Sequence, residues 1–379
     1  VSPTSWATWV DAQLAEVRTA GQWRATRAFD AHGPAGHLST PGGSTAGHRV
    51  VSFASNDYLG LSVHPSVVTA AHDAIDRWGT GATASRLIVG TRPCHDELEH
   101  ELAAWKHAER ALVFSSGYAA NVGVLAALGG PDVTVFSDEL NHASIIDGCR
   151  LGRSRVVVYR HNDIEQLEEL LSATPGRTLV VTDVVFSMDG DVARLDALAA
   201  LCVRNAAMLV LDEAHSVLGP EVPLLDGLDV VRVGTLSKTF GSLGGWVVAS
   251  RSIIELLVNR ARSFIFTTAL TPADASAGLA ALRVVTSAEG DELVARLRLS
   301  IGRVRAAHPS PIIPLVLGDE SVAVDAAQSL LDRGIFVPAI RPPTVPPATS
   351  RLRIALSAAH TDEMITQLLD ALAELGLAP

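Results

Sequence analysis

Between residues 111 and 249 the chain carries seven short apolar runs, at 111–114, 133–136, 155–159, 178–185, 208–211, 230–236 and 246–249. Runs this short, rich in Val and Leu and without polar alternation, are the pattern of strands buried on both faces. Helix-length segments separate most of them, so a parallel sheet covered on both sides is expected. The last interval, from Leu236 to Trp246, is too short for a crossover helix. That makes the final strand antiparallel to its predecessor and the sheet mixed. A chain of 379 residues, 48% of them hydrophobic, can bury such a core beside a smaller second unit.

The flanking segments complete the organisation. Trp6, Trp9, Val10, Leu14, Val17 and Trp23 recur at helical spacing across residues 5–29, with Arg18, Arg24 and Arg27 on the polar side, which predicts an amphipathic arm. A Gly/Pro-rich loop, open to a hairpin, follows at 32–47, and helices are expected at 65–78 and 96–106. The run 79–84 has the glycine spacing of a dinucleotide fingerprint but follows a helix, so that reading is rejected. Beyond helices at 252–262 and 272–285, a compact α+β unit is predicted, with helices at 293–306, 321–333 and from Thr361, and strands at 312–317 and 351–357. The proline-rich stretch 339–347 reads as a stiffened loop. The expected division is an arm and loop (1–47), a large domain (48–289) and a small C-terminal domain (290–379).

Two of the apolar runs end in reactive side chains. The run 208–211 leads into Asp212 and His215, and the run 230–236 into Lys238, set among Ser, Thr and Gly. Taken alone, Lys238 reads as a surface lysine. Beside an acid and an imidazole delivered by a neighbouring strand it reads differently. A lysine against apolar strands loses its proton more readily and forms a Schiff base with an aldehyde, of which pyridoxal phosphate is the commonest held by a protein. That cofactor needs an acid against its ring nitrogen, a role for Asp212, and a partner for its phenolic oxygen, a role for His215. Ser116 and Gly117 stand where a strand turns into a helix, either as an ordinary N-cap or as a phosphate site. His142, after another strand, is either structural or a flat ring for stacking on a cofactor.

Composition removes other classes. A formal charge of −11 argues against a general nucleic-acid binder. Three scattered cysteines offer no disulfide framework or metal motif and suit a cytoplasmic protein. His95 and His100 fall on different faces of one helix, so no metal pair is expected there. Segment 187–191 has a fragment of calcium-loop spacing without the remaining ligands and reads as a loop over the site. The first turns contain Asp11 and Glu16 and lack an apolar core of signal-peptide type, and no run reaches membrane-spanning length. Neither export nor a membrane partner is expected.

Segments 55–60, 116–121, 141–144, 186–191, 212–215, 235–241 and 351–353, in this order along nearly the whole chain, resemble the α-oxoamine synthases. These are pyridoxal-phosphate enzymes of the aspartate-aminotransferase-like fold (fold type I) that join an amino acid to an acyl-CoA. The resemblance implies that Lys238 holds the cofactor, Asp212 pairs its ring nitrogen, His215 bonds its phenolic oxygen and His142 stacks on it. It implies that Ser116, Gly117, Tyr118 and Thr235 serve the phosphate and that Ser187 lies near the ring oxygen. Arg353 would bind the substrate carboxylate, and Thr267 and Thr268 would reach the phosphate of the other subunit of a homodimer. Segments 339–346 and 357–360 most resemble members that use L-alanine and a pimeloyl thioester, the alternative being those that use glycine. Asp183 stands where several relatives have glutamate. For the terminal carboxylate of the acyl chain, Arg24 on the arm is the expected partner, with Arg27 second and Trp23 in the channel wall.

Overall fold

The computed structural model describes residues 5–40 and 47–378. In chain order these form α1 (Trp6–Thr19), β1 (Phe29–Ala31), β2 (Ala35–Leu38), β3 (His48–Ser52), α2 (Pro65–Trp78), α3 (Pro93–Trp105), β4 (Arg110–Phe114), α4 (Gly117–Leu128), β5 (Val133–Asp138), α5 (Ala143–Gly152), β6 (Arg155–Tyr159), α6 (Ile164–Ser172), β7 (Arg177–Asp183), α7 (Leu195–Arg204), β8 (Met208–Asp212), β9 (Val230–Thr235) and β10 (Gly245–Ala249). The chain continues through α8 (Arg251–Arg260), α9 (Arg262–Ile265), α10 (Pro272–Val285), α11 (Ala288–Val304), β11 (Ile312–Gly318), α12 (Glu320–Asp332), β12 (Ile335–Phe336), β13 (Ala339–Ile340), β14 (Ser350–Ala355) and α13 (Asp362–Glu374).

The seven apolar runs become one sheet of order β4-β10-β9-β8-β7-β5-β6. Strands β5 to β9 pair in parallel, whereas β10 runs antiparallel to both β9 and β4, as the short interval before Trp246 requires. Alternate residues feed two cores. Val181, Val210 and Val233 pack with Val124 and Leu125 of α4, with Ile145 of α5, and with Leu257 and Phe264 of α8 and α9. Val180, Leu209 and Leu211 pack on the other face with Leu167 of α6 and Leu198 and Leu201 of α7. Cys94, Cys149 and Cys202, on α3, α5 and α7, are buried free thiols. Burial raises all three, Cys149 to about 11 and Cys202 to about 12.

The chain forms two compact units. One contains Ser55–Pro314 and Ala355–Thr366, including this sheet. The other gathers the described residues up to Ala54 with Leu315–Ile354 and Gln367–Ala378. In it β1, β2 and β3 form an antiparallel meander that β12 extends in parallel, Ile335 opposite Val51. A further sheet has the order β11-β14-β13. Ala339 and Ile340, expected in a loop, form the edge strand β13, where the ladder needs bonds on one side only and the following prolines are tolerated.

The arm is shorter in helix than its spacing predicts. Gly21, at φ +65°, takes the left-handed conformation that ends α1, with Gln22 N–H donating to the Val17 carbonyl (3.0 Å). Trp23, Arg24 and Arg27 therefore lie beyond the helix, and the Arg18 guanidinium stacks 4.3 Å from the Trp23 ring centroid.

Candidate active site

The parallel strands end together, and side chains at their C-terminal ends converge. Asp212 closes β8. Its Oδ1 accepts from the Ala214 N–H (2.9 Å) and its Oδ2 from Asn121 Nδ2 (2.6 Å) in the buried second turn of α4. The same Asn121 amide donates to Ser144 Oγ (2.9 Å). His215 follows, buried, with Nδ1 2.6 Å from the Tyr58 hydroxyl and Nε2 2.8 Å from Lys238 Nζ. Tyr58 and Asn121 lie inside matched segments, yet nothing in their spacing assigned them partners. Their signal was polar groups among residues that the fold buries.

Lys238 stands on a pinned strap between β9 and β10. Leu236 N–H donates to Gly244 O (2.9 Å), and Gly241, at φ +59°, returns its N–H to the Lys238 carbonyl (2.9 Å). Phe240 meets Trp105 edge-on (5.6 Å between centroids), and Trp105 in turn meets Trp246. The Trp246 indole lies so close over Gly234 that a Cβ there would fall 2.2 Å from the ring. The amine is half-buried and bonded to His215, which removes the surface-lysine reading.

At the start of α4, Ser116 Oγ accepts from Ala119 N–H (3.1 Å), so the hydroxyl serves as the N-cap. Gly117 packs against Thr235, where a Cβ would come within 3.1 Å of the threonine Cβ. Thr235 is buried and donates to Gly244 O (2.9 Å) while accepting from Ser237 N–H (3.1 Å). Tyr118 is exposed, its hydroxyl donating to Asp147 (2.8 Å).

His142 caps α5, with Nδ1 2.7 Å from Ser144 Oγ. The residue is exposed, yet desolvation holds the imidazole below its ordinary value, against the opposing pull of Asp212. Its backbone N–H donates to Asp183 Oδ2 (2.8 Å), and the Asp183 N–H donates to Asn141 Oδ1 (2.9 Å). Asp183 is buried in register with Asp212 across β7 and β8. Burial first, then the Asp212 charge, raises its carboxyl well above the ordinary value and favours the neutral form.

Ser187 lies half-buried in the loop after β7. That loop is tethered at Asp191, whose Oδ2 is 2.7 Å from Nε2 of His161, while Nδ1 of the same ring is 3.1 Å from Asp138. Burial alone would lower His161, but the two carboxylates push it up to about 10. Thr267 and Thr268 follow α9, the first half-buried and the second exposed. In the other unit, Arg353 is buried on β14, and Arg24 is exposed, donating to Thr344 Oγ1 (3.3 Å).

The donor set fits pyridoxal phosphate. An amine is held against an imidazole, a carboxylate is anchored by Asn121, and a capped helix N-terminus has glycine at its first position, where a larger residue would crowd Thr235.

The family model for aminotransferase class I and II matches residues 48–372. An 8-amino-7-oxononanoate synthase of Anaeromyxobacter dehalogenans (strain 2CP-1) is 49% identical over 382 residues, covering 96% of this chain and 94% of the relative. Among solved structures, a serine palmitoyltransferase variant from S. paucimobilis with a bound PLP–myriocin adduct is 29% identical, with a TM-score of 0.89 over 98% of this chain and 99% of its own. An 8-amino-7-oxononanoate synthase from Francisella tularensis is 28% identical, with a TM-score of 0.72 over 86% of this chain and 98% of its own.

Proposed function

The chain belongs to the class I and II aminotransferase family, with the aspartate-aminotransferase-like fold, and on that premise we propose that it performs the reaction of an 8-amino-7-oxononanoate synthase. L-alanine and a pimeloyl thioester condense, with loss of carbon dioxide and release of the thiol, to give 8-amino-7-oxononanoate, a step of biotin biosynthesis. The observation that carries the chemistry is the hydrogen-bonded line Tyr58, His215, Lys238 at the ends of β8 and β9.

Pyridoxal phosphate, when bound, supplies an aldehyde for amines and a ring that draws electrons from the substrate α-carbon. Lys238 would hold it, Asp212 would pair its ring nitrogen and His215 its phenolic oxygen, while His142 would lie against the ring with Ser187 near its oxygen. The N-terminus of α4 at Gly117 and Tyr118, with Thr235, would serve the phosphate. Because the Ser116 hydroxyl caps the helix, its contribution to an anion would come through the turn it holds. Arg353 would bind the α-carboxylate of alanine, and Thr267 and Thr268 would serve the second site of a homodimer.

Lys238 is the base that takes the α-proton of alanine and later returns a proton to the same carbon. The line of bonds suits that task. An ammonium on Lys238 donates to His215 Nε2 while Nδ1–H donates to Tyr58; transfer of that proton makes His215 an imidazolium, which reverses the bond to Lys238 and leaves Nδ1–H on Tyr58. One proton therefore moves between amine and imidazole without displacing a heavy atom. Asn121 fixes the Asp212 carboxylate, so that acid does not reorient as charge develops.

The deciding experiment measures thiol release from a panel of acyl-CoAs with alanine, glycine or serine. Pimeloyl-CoA with alanine is expected to lead. Preference for glycine with a short acyl-CoA, or for serine with palmitoyl-CoA, would overturn the reading.

A further inference from the structure

Behind the strand ends, four charged side chains interlock. Successive strand residues face opposite ways, so Glu213 points away from the face that carries Asp212. Leu211 pairs in register with Arg232, which sets Arg232 on the same reverse face as Glu213. There Lys106 Nζ, at the C-cap of α3, lies 2.9 Å from Glu213 Oε2 and 2.8 Å from Glu221 Oε1. Arg232 donates to the same two carboxylates through Nε and Nη2, and reaches the Lys106 carbonyl at 3.4 Å. Lys106, Glu213 and Arg232 are 5%, 9% and 6% exposed, so three of the four members are buried. Burial alone would raise the Glu221 carboxyl, yet Lys106 and Arg232 hold it below its ordinary value.

The connectivity matters more than the count of charges. Glu213 and Glu221 are the two ends of one loop, and His215 lies inside it. Within that loop Ser216 N–H donates to the Glu213 carbonyl (3.0 Å) and Val217 N–H to the His215 carbonyl (3.0 Å). The same pair of cations therefore binds both ends of the segment that carries the imidazole. Buried ion pairs add little stability over an apolar replacement, because desolvation offsets the attraction. Closing a loop at a fixed geometry is a task that an apolar replacement would not perform.

We propose that Lys106, Glu213, Arg232 and Glu221 form a positioning clasp that sets the His215 ring against Lys238 and Tyr58 from the reverse face of the sheet. The consequence for turnover rests on the reaction proposed above, but the geometric claim can be read without cofactor or substrate.

The test uses the cofactor-free protein with ¹⁵N-labelled histidine. Glu221→Ala opens the clasp at its exposed member, and Glu221→Gln removes the charge at nearly constant volume. The ring nitrogen signals of His215 are expected to shift in both, more in the alanine variant, while those of His161 stay in place. With cofactor and substrates added, kcat is expected to fall on the order of tenfold, with KM for the amino acid changed less than about twofold. Unchanged His215 signals would overturn the proposal, as would equal shifts at His161, which report a general loosening. Failure of both variants to fold would assign the four residues to stability and overturn the positioning role as well. If the ring signals shift as expected but thiol release never depends on alanine, the clasp stands and the proposed reaction is what fails.

Discussion

His142 and His161 follow adjacent strands of one sheet, and their imidazoles are driven in opposite directions. The more open ring, His142, is held below its ordinary value, whereas the less open ring, His161, is pushed up to about 10. Desolvation prevails at His142, whose ring nitrogen meets a serine hydroxyl, and is overridden at His161, which is bracketed by the carboxylates of Asp138 and Asp191. One environment favours a neutral ring on an exposed residue, suited to lying against a flat ligand. The other makes a charged tether for the loop that carries Ser187.

The largest expected effect removes the group that gives the first environment its purpose. Lys238→Ala should lower turnover by on the order of a thousandfold or more. In the wild-type protein, borohydride should fix the cofactor on Lys238, as read by peptide mass. Label on a different lysine would break the contrast between a working and a structural histidine at its root.

Next comes the exchange of the two rings. His142→Ala should lower kcat roughly a hundredfold with little change in the thermal midpoint of the cofactor-free protein. His161→Ala should destabilise by about 2–3 kcal/mol, because the buried Asp138 carboxylate loses its cationic partner and keeps only the backbone N–H bonds from Leu140 and Asn162, and should affect kcat much less. Denaturant melts and steady-state rates on both variants check this, and matching profiles would erase the distinction.

A smaller effect is expected at the arm. Arg24→Ala should lower kcat/KM for pimeloyl-CoA about tenfold relative to an uncharged acyl-CoA of equal length. Equal losses on the two thioesters would leave Arg24 as scaffold, held by its bond to Thr344.

The last test is the pH dependence of the tether. The folded pKa of His161 is raised from 6.5 to about 10, so its contribution to stability is complete below 6.5, declines above that and is gone beyond about 10. The difference in unfolding free energy between wild type and His161→Gln should follow that course. A difference that grows with pH would contradict the double-carboxylate tether.

The seven strands and the antiparallel turn at β10 were legible because buried strands leave unbroken apolar runs and a short interval excludes a crossover. Asp212, His215 and Lys238 could be assembled from the ends of those runs. The pairing of β3 with β12 could not, since two residues of strand near position 335 carry no periodicity and their partner lies near position 51. The end of α1 was missed because Trp23 continues the apolar spacing after Gly21 has turned the backbone. Tyr58, Asn121 and Asp183 gained partners only in three dimensions, because hydrogen bonds between distant segments leave no local pattern. Thr267 and Thr268 read from the sequence as either turn residues or phosphate ligands; the resemblance suggested their role at a second subunit and that of Arg353, and substitution will test these.

The three buried cysteines have a practical consequence at the bench. Their thiols are shielded, and desolvation suppresses the thiolate form that reacts with disulfide indicators. A colorimetric titration of liberated CoA should therefore run against a nearly silent protein background while the fold is intact. A slow rise in colour without substrate would report unfolding, so one cuvette can monitor both turnover and integrity.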